Sequence, residues 1–254
     1  MMGLNRVTHS SHASASVVAA VLLAFGCATP PQLGKDEGRV AVVWQNEGGG
    51  SSAAPATPVS AEKDTERGLL AELREEERKG AEDLALAGTL YRLAILRRQQ
   101  GEFAEAERLY QRALEIRERR QGPNHPDVAL ILNNLAALEA VQGNYDAAQP
   151  LLERALAIRQ TALGDDHVLT AESLNNLALL HAAQGDAAAA EPLYRHALSI
   201  LEKTGTTPAD ELARVLDNYA ALLHETGRDA DAEALEARAR VMRAAGGRQP
   251  APQR

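Results

Sequence analysis

The sequence is poor in the residues from which most recognisable sites are built. It has one cysteine, Cys27, which excludes an internal disulfide framework and a multi-cysteine zinc site. Aromatic residues make up 3% of the chain although hydrophobic residues reach 45%, so the core must come mainly from leucine and alanine. Such a core suits closely packed helices better than a sheet, where β-branched and aromatic residues prevail. The five histidines beyond the N-terminal region (His125, His167, His181, His196 and His224) are scattered, with no pair at metal-ligand spacing on one helix face. There is no phosphate-cradling glycine loop, nucleophile elbow or dinucleotide fingerprint. Catalysis, a metal, a cofactor and a small-molecule substrate are therefore not expected. With 35 acidic residues against 27 basic ones the chain carries −8, which argues against a nucleic-acid partner.

No apolar run approaches the roughly 20 residues of a spanning helix. The run Val17–Phe25 has nine, comes after a polar stretch bearing Arg6, and reads as the core of an export signal. The adjoining Gly26-Cys27-Ala28 resembles the lipobox of bacterial lipoproteins, although Ala24 and Phe25 depart from its usual Leu and small residue. That resemblance implies a signal over 1–26, lipidation of Cys27 and anchorage in the bacterial cell envelope. Cleavage after Ala28 to give a soluble secreted or periplasmic protein is the alternative. Residues 27–60 are rich in Pro, Gly, Ala and Ser and read as a disordered tether, as does the tail 247–254. Within the tether, Arg39–Trp44 is an apolar island of strand or docking character.

The rest is periodic. Leu132–Ile158 returns 42 residues later as Leu174–Ile200, and the same frame fits Leu90–Ile116 and, more loosely, Leu216–Met242. Gly101, Gly143, Gly185 and Gly227 mark the frame. Each is preceded by a Leu/Tyr-Ala pair and succeeded at fixed distances by two alanines and a leucine. Read as helices, the residues on either side of each glycine form apolar faces at helical spacing. The glycine suits a left-handed helix stop, and Asn144, Asp186 and Asp229 are N-cap candidates for the second helix of their repeats. Each period is a helix–turn–helix pair that buries its faces only by stacking on its neighbours. His125 and His167 recur in the connectors between pairs and read as turn residues. Glu62–Lys79, with Leu69, Leu70 and Leu73 on one stripe, reads as a leading cap helix.

This pattern resembles the tetratricopeptide repeat, and the 42-residue length, the LNNLA start and the connectors Gly122–Val128 and Gly164–Thr170 resemble its kinesin-light-chain variety. The likeness is weaker where Ala187 and Asp229 replace the aromatic of Phe103 and Tyr145, and where Glu236 replaces Tyr110, Leu152 and Tyr194. It implies an all-α, right-handed solenoid over 61–246: a cap helix at 62–79 and four repeats at about 85–126, 127–168, 169–210 and 211–246. It also implies a protein-interaction scaffold whose first helices line a concave groove.

Arg92, Asn134, Asn176 and Asn218 occupy one frame position in those first helices. The resemblance implies that asparagine there clamps the backbone of a bound peptide. An amide donates and accepts at once, so it serves an extended segment whatever its side chains. Three rungs about 10 Å apart would track some six peptide residues at about 3.3 Å each. The competing role is a bond to a neighbouring helix, and Asn133 and Asn175 alongside could share either task. Arg98 and Gln99 lie toward the first-repeat end of the groove, where Arg97, Arg117, Arg119 and Arg120 also raise the positive charge, which suggests an acidic ligand segment there. Self-assembly through the solenoid ends is the alternative function, and a cytoplasmic adaptor is the reading if the N-terminus is not a signal.

Overall fold

The computed structural model describes residues 58–80, 83–204 and 209–246. The export signal, Cys27, the Arg39–Trp44 island and the tail lie outside the described residues. Among those described there are nine helices and no strands: α1 (Pro58–Lys79), α2 (Leu84–Gln99), α3 (Phe103–Gln121), α4 (Pro126–Val141), α5 (Tyr145–Leu163), α6 (Val168–Ala183), α7 (Ala187–Thr204), α8 (Ala209–Glu225) and α9 (Asp229–Gly246). The leading helix starts at Pro58, so residues 58–60 belong to it and not to the tether.

Helices α2/α3, α4/α5, α6/α7 and α8/α9 pack as antiparallel pairs, and each pair stacks on the next through α3/α4, α5/α6 and α7/α8. The first helices of later repeats also touch, α4 with α6 and α6 with α8. This is an all-α solenoid. Its turns are built as the glycines foretell: Gly101, Gly143, Gly185 and Gly227 have φ between 74° and 81°. The residue after each glycine donates back five positions, as Glu102 N does to Arg97 O and Asn144 N to Glu139 O, both at 2.9 Å. This closes a Schellman motif.

The repeated alanines are where the helices come closest. Ala106, Ala113, Ala148, Ala155, Ala190, Ala197, Ala232 and Ala239 are all fully buried, and so are Tyr110, Leu152 and Tyr194 between them. Leu109, Leu151, Leu193 and Leu235, expected to fill the seams, are half-buried and border the core. On α1, Leu69 is buried against Leu93 and Leu96 while Leu70 and Leu73 border the contact, which makes α1 a cap on α2.

Three local expectations change. Asp229 lies inside α9 instead of capping it, and its carboxylate faces His224. Asn144 does not cap α5 with its side chain; its amide instead goes to Glu139 Oε2 at 2.9 Å. Asp186 does cap, accepting from Ala189 N at 3.0 Å. The connector histidines prove to be caps as well: His125 Nδ1 accepts from Asp127 N at 3.2 Å and His167 Nδ1 from Leu169 N at 3.1 Å.

Candidate functional site

A seam of buried polar side chains runs along the first helices. Asn133, Asn134, Asn175 and Asn218 are at most 2% exposed, and Asn176 is 7% exposed. Asparagine is a mediocre helix former, so its presence inside these helices demands partners. Asn134 has a full set. Its amide goes to Tyr91 Oη at 3.1 Å and to Leu130 O at 3.0 Å. Its oxygen receives Arg98 Nη1 and Tyr110 Oη, each at 3.4 Å. Asn218 gives its amide to Asn175 Oδ1 at 3.0 Å, and Asn175 gives its own to Asn176 Oδ1 at 3.4 Å.

These bonds share a direction. Asn134 reaches Tyr91 and Asn218 reaches Asn175, each 43 residues back and so in the preceding repeat. Arg92, at the same frame position, pairs with Glu72 on α1 and donates to Thr89 Oγ1 at 3.2 Å. The structure therefore brings Asn134 and Asn218 into contact with the preceding repeat's groove-side residues, and places Arg92 against the cap helix. Asn176 makes no such backward bond; its oxygen is held by its own neighbour.

Between the second and third repeats lies a charged knot that sequence reasoning does not single out. Arg159, at the end of α5, is the largest fully buried side chain among the described residues. Its Nη1 donates to Leu169 O at 2.7 Å and Ser173 Oγ at 3.0 Å, and lies 3.5 Å from Glu172. Ser173 Oγ also receives the Asn133 amide at 3.5 Å. Such burial of a charge is tolerated only when it is paired and hydrogen-bonded. The signal that could have found it is the frame: Arg117 lies 42 residues before Arg159 and pins the start of α4 through Asp127. Nearby, burial raises the Glu211 carboxyl against the opposing pull of Arg214, with Glu172 adding to the rise. Burial likewise raises the Tyr91 phenol, offset in part by its bond with Asn134.

The basic first-repeat end is more nearly neutral than its sequence suggests. Arg97 lies within 3.0–3.4 Å of Glu66, Glu102 and Glu105, and Arg117 is paired with Asp127. Among the described residues no group of three or more His, Cys, Asp or Glu is placed to hold a metal ion. No described helix is long and apolar enough to cross a membrane.

Comparison with known proteins points the same way. The sequence profile of the tetratricopeptide repeat matches residues 85–140 and 127–203. No curated protein matches the chain. The crystal structure of BtubC (BKLC) from P. vanneervenii is similar over 77% of this chain and 79% of its own, with 26% identity and a TM-score of 0.65. A putative kinesin light chain of nearly identical TPR-like repeats from Podosopora anserina is similar in fold over 75% of this chain and 91% of its own, at 20% identity and a TM-score of 0.60. A single-residue variant of that protein gives a TM-score of 0.62. The array is thus an all-α solenoid of tetratricopeptide-like repeats, and its structural neighbours include kinesin-light-chain-like proteins.

Proposed function

We propose that this chain is a non-enzymatic protein-interaction scaffold that holds an extended segment of a partner protein along the concave side of its first helices. The observation that supports this is the stacked array itself, matched by the tetratricopeptide-repeat profile over residues 85–140 and 127–203, with the buried carboxamides of α4, α6 and α8 fixing how its first helices line up. Stacked helical repeats build extended concave surfaces suited to such a segment. Asn134 and Asn218 are engaged within the array, and Asn176 is engaged least. Residues 1–26 direct export and Cys27 carries the lipid that anchors the scaffold in the bacterial cell envelope, with residues from 28 onward as tether.

Photo-crosslinkers placed on α4, α6 and, as controls, on α5 and α7 of the full chain test the binding reading in cells. Partner crosslinks from α4 and α6 support it. Crosslinks confined to α5 and α7 overturn it, and crosslinks only to other copies of the chain replace it with self-assembly. Fractionation of the parent and Cys27→Ala chains tests the anchor, which requires the parent in the membrane fraction and the variant out of it.

A further inference from the structure

The cap helix α1 carries its charge on two opposed faces. Towards the array it presents carboxylates: Glu66 pairs with Arg97 at 3.0 Å, Glu77 with Arg112 at 2.6 Å, and Glu72 with Arg92. The bases of α1 are left to the other side. Arg67, Gly68, Ala71, Arg74 and Arg78 recur at helical spacing on one face, and all are exposed. Arg78 and Lys79 share Glu75, and Arg78 still has 76% of its side chain exposed. In sequence the stripe sets Arg67, Arg74, Arg78 and Lys79 against Asp64 and Glu75. The repeat frame identifies this face. Arg67, Gly68, Ala71 and Arg74 stand 42 residues before Leu109, Tyr110, Ala113 and Ile116, the residues with which α3 packs on Leu86, Leu90 and Ala94 of α2. α1 turns Leu69, Leu70 and Leu73 to the array instead, so its own pairing face looks outward. Ala71 keeps the close-contact alanine there, exposed where Ala113, Ala155, Ala197 and Ala239 are fully buried. A side chain at Gly68 would meet nothing within 4 Å. The first helix that would cover such a face falls, in the frame, on residues 42–57. That stretch contains Gly48-Gly49-Gly50-Ser51-Ser52 and no leucine, a composition with little helix propensity.

We propose that this outward face is a docking site for an acidic helix of a partner protein, which packs on α1 as a first helix packs on a second. Gly68 and Ala71 admit its backbone, and its carboxylates meet Arg67, Arg74 and Arg78. A guanidinium receives a carboxylate on two parallel N–H bonds, which a lysine ammonium does not. The three arginines span about 17 Å of helix, so a partner of about three turns with a carboxylate on each turn covers the site. A flat anionic surface fits less well. Glu72 and Glu77, with side chains 49% and 41% exposed, flank the stripe and would meet such a surface too, whereas a single helix touches the stripe alone. The site lies at the end of the array and is independent of the concave groove.

The probe is a panel of alanine-rich peptides stapled as helices of about four turns, with glutamates either aligned on one face or scrambled around it. They are titrated by fluorescence anisotropy against the full chain carrying Cys27→Ala, so that no lipid contributes. The one-faced peptides are expected to bind, and the scrambled ones at least about tenfold more weakly. Arg74→Glu is expected to weaken binding about tenfold, the scale of one charge-assisted hydrogen bond. Ala71→Tyr keeps the charge and is expected to weaken binding as much, by blocking close approach. Both variants should melt like the parent, because both positions are exposed. Arg108→Glu, exposed on α3, should leave binding unchanged. Equal binding by Arg74→Glu or Ala71→Tyr, equal binding of scrambled peptides, or failure of every peptide overturns the site and leaves α1 a solvated cap. Binding to phosphatidylglycerol vesicles in place of the peptides overturns it in favour of a lipid surface. The groove reading stands or falls separately.

Discussion

Asn134 serves as a four-way junction between two repeats: Tyr91 and Leu130 on its amide, Arg98 and Tyr110 on its oxygen. Replacing it with alanine strands several of these groups inside the core. The expected loss is about 1–3 kcal/mol, the cost of orphaned buried polar groups, read as a lower urea midpoint with an unchanged slope. Asn176→Ala removes no backward bond, and it should cost less than half as much in the same experiment. Arg159 belongs at the same scale. Arg159→Met leaves Leu169 O and Ser173 without their shared donor and Glu172 without its ion pair, and breaking a buried pair in this way costs about 3–5 kcal/mol. The double variant Arg159→Met/Glu172→Gln should recover part of that loss in the same denaturation series.

At the level of helices, the sequence announces boundaries and faces but not partners. Period, glycine stops and fully buried alanines are legible because each depends on spacing within one or two turns. Gly143→Ala meets no steric obstacle, yet it forces a left-handed conformation on a side chain at φ 81°. The expected cost is about 1–2 kcal/mol, measured by thermal melting. The direction in which the asparagines point is not legible. It depends on how one repeat is rotated against the next, a property of stacked helices and not of any one of them. Whether Asn134 meets a ligand or Tyr91 is decided 43 residues away. The capping role of the connector histidines has a local signal, because a polar side chain directly before Pro126 at the first helical position is a recognisable cap arrangement. The basic end misleads for the same non-local reason as the asparagines, since α1, the turn residue Glu102 and α3 supply the carboxylates that surround Arg97.

At the far end of the array the fourth repeat is held by charge at two points, one to the third repeat and one within itself, that respond to pH in opposite senses. Glu191 on α7 is held by Arg195, Tyr219 and Arg228, and their hydrogen bonds lower its carboxyl from 4.5 to about 2. A depressed carboxyl contributes fully above its ordinary value, and that contribution is lost as pH falls towards 2. His224 on α8 faces Asp229 at 2.8 Å and Glu236 at 3.3 Å, both on α9, and its bond with Asp229 leads in raising it above 6.5. A raised histidine contributes fully below about 6.5 and ceases to do so as pH climbs through its folded value. The fourth repeat should therefore be held most firmly between these limits. Amide exchange in α9 should quicken on both sides of that window. His224→Ala should remove the alkaline limb and leave the acidic one.

The backward reach of Asn134 and Asn218 gives the stack a grammar. A unit brings the donor that its predecessor lacks, and leaves on its own surface an acceptor that only a successor can fill. Each of these junctions is thus written in both neighbours, so a repeat moved elsewhere in the array would carry its donor away from the acceptor it is matched to.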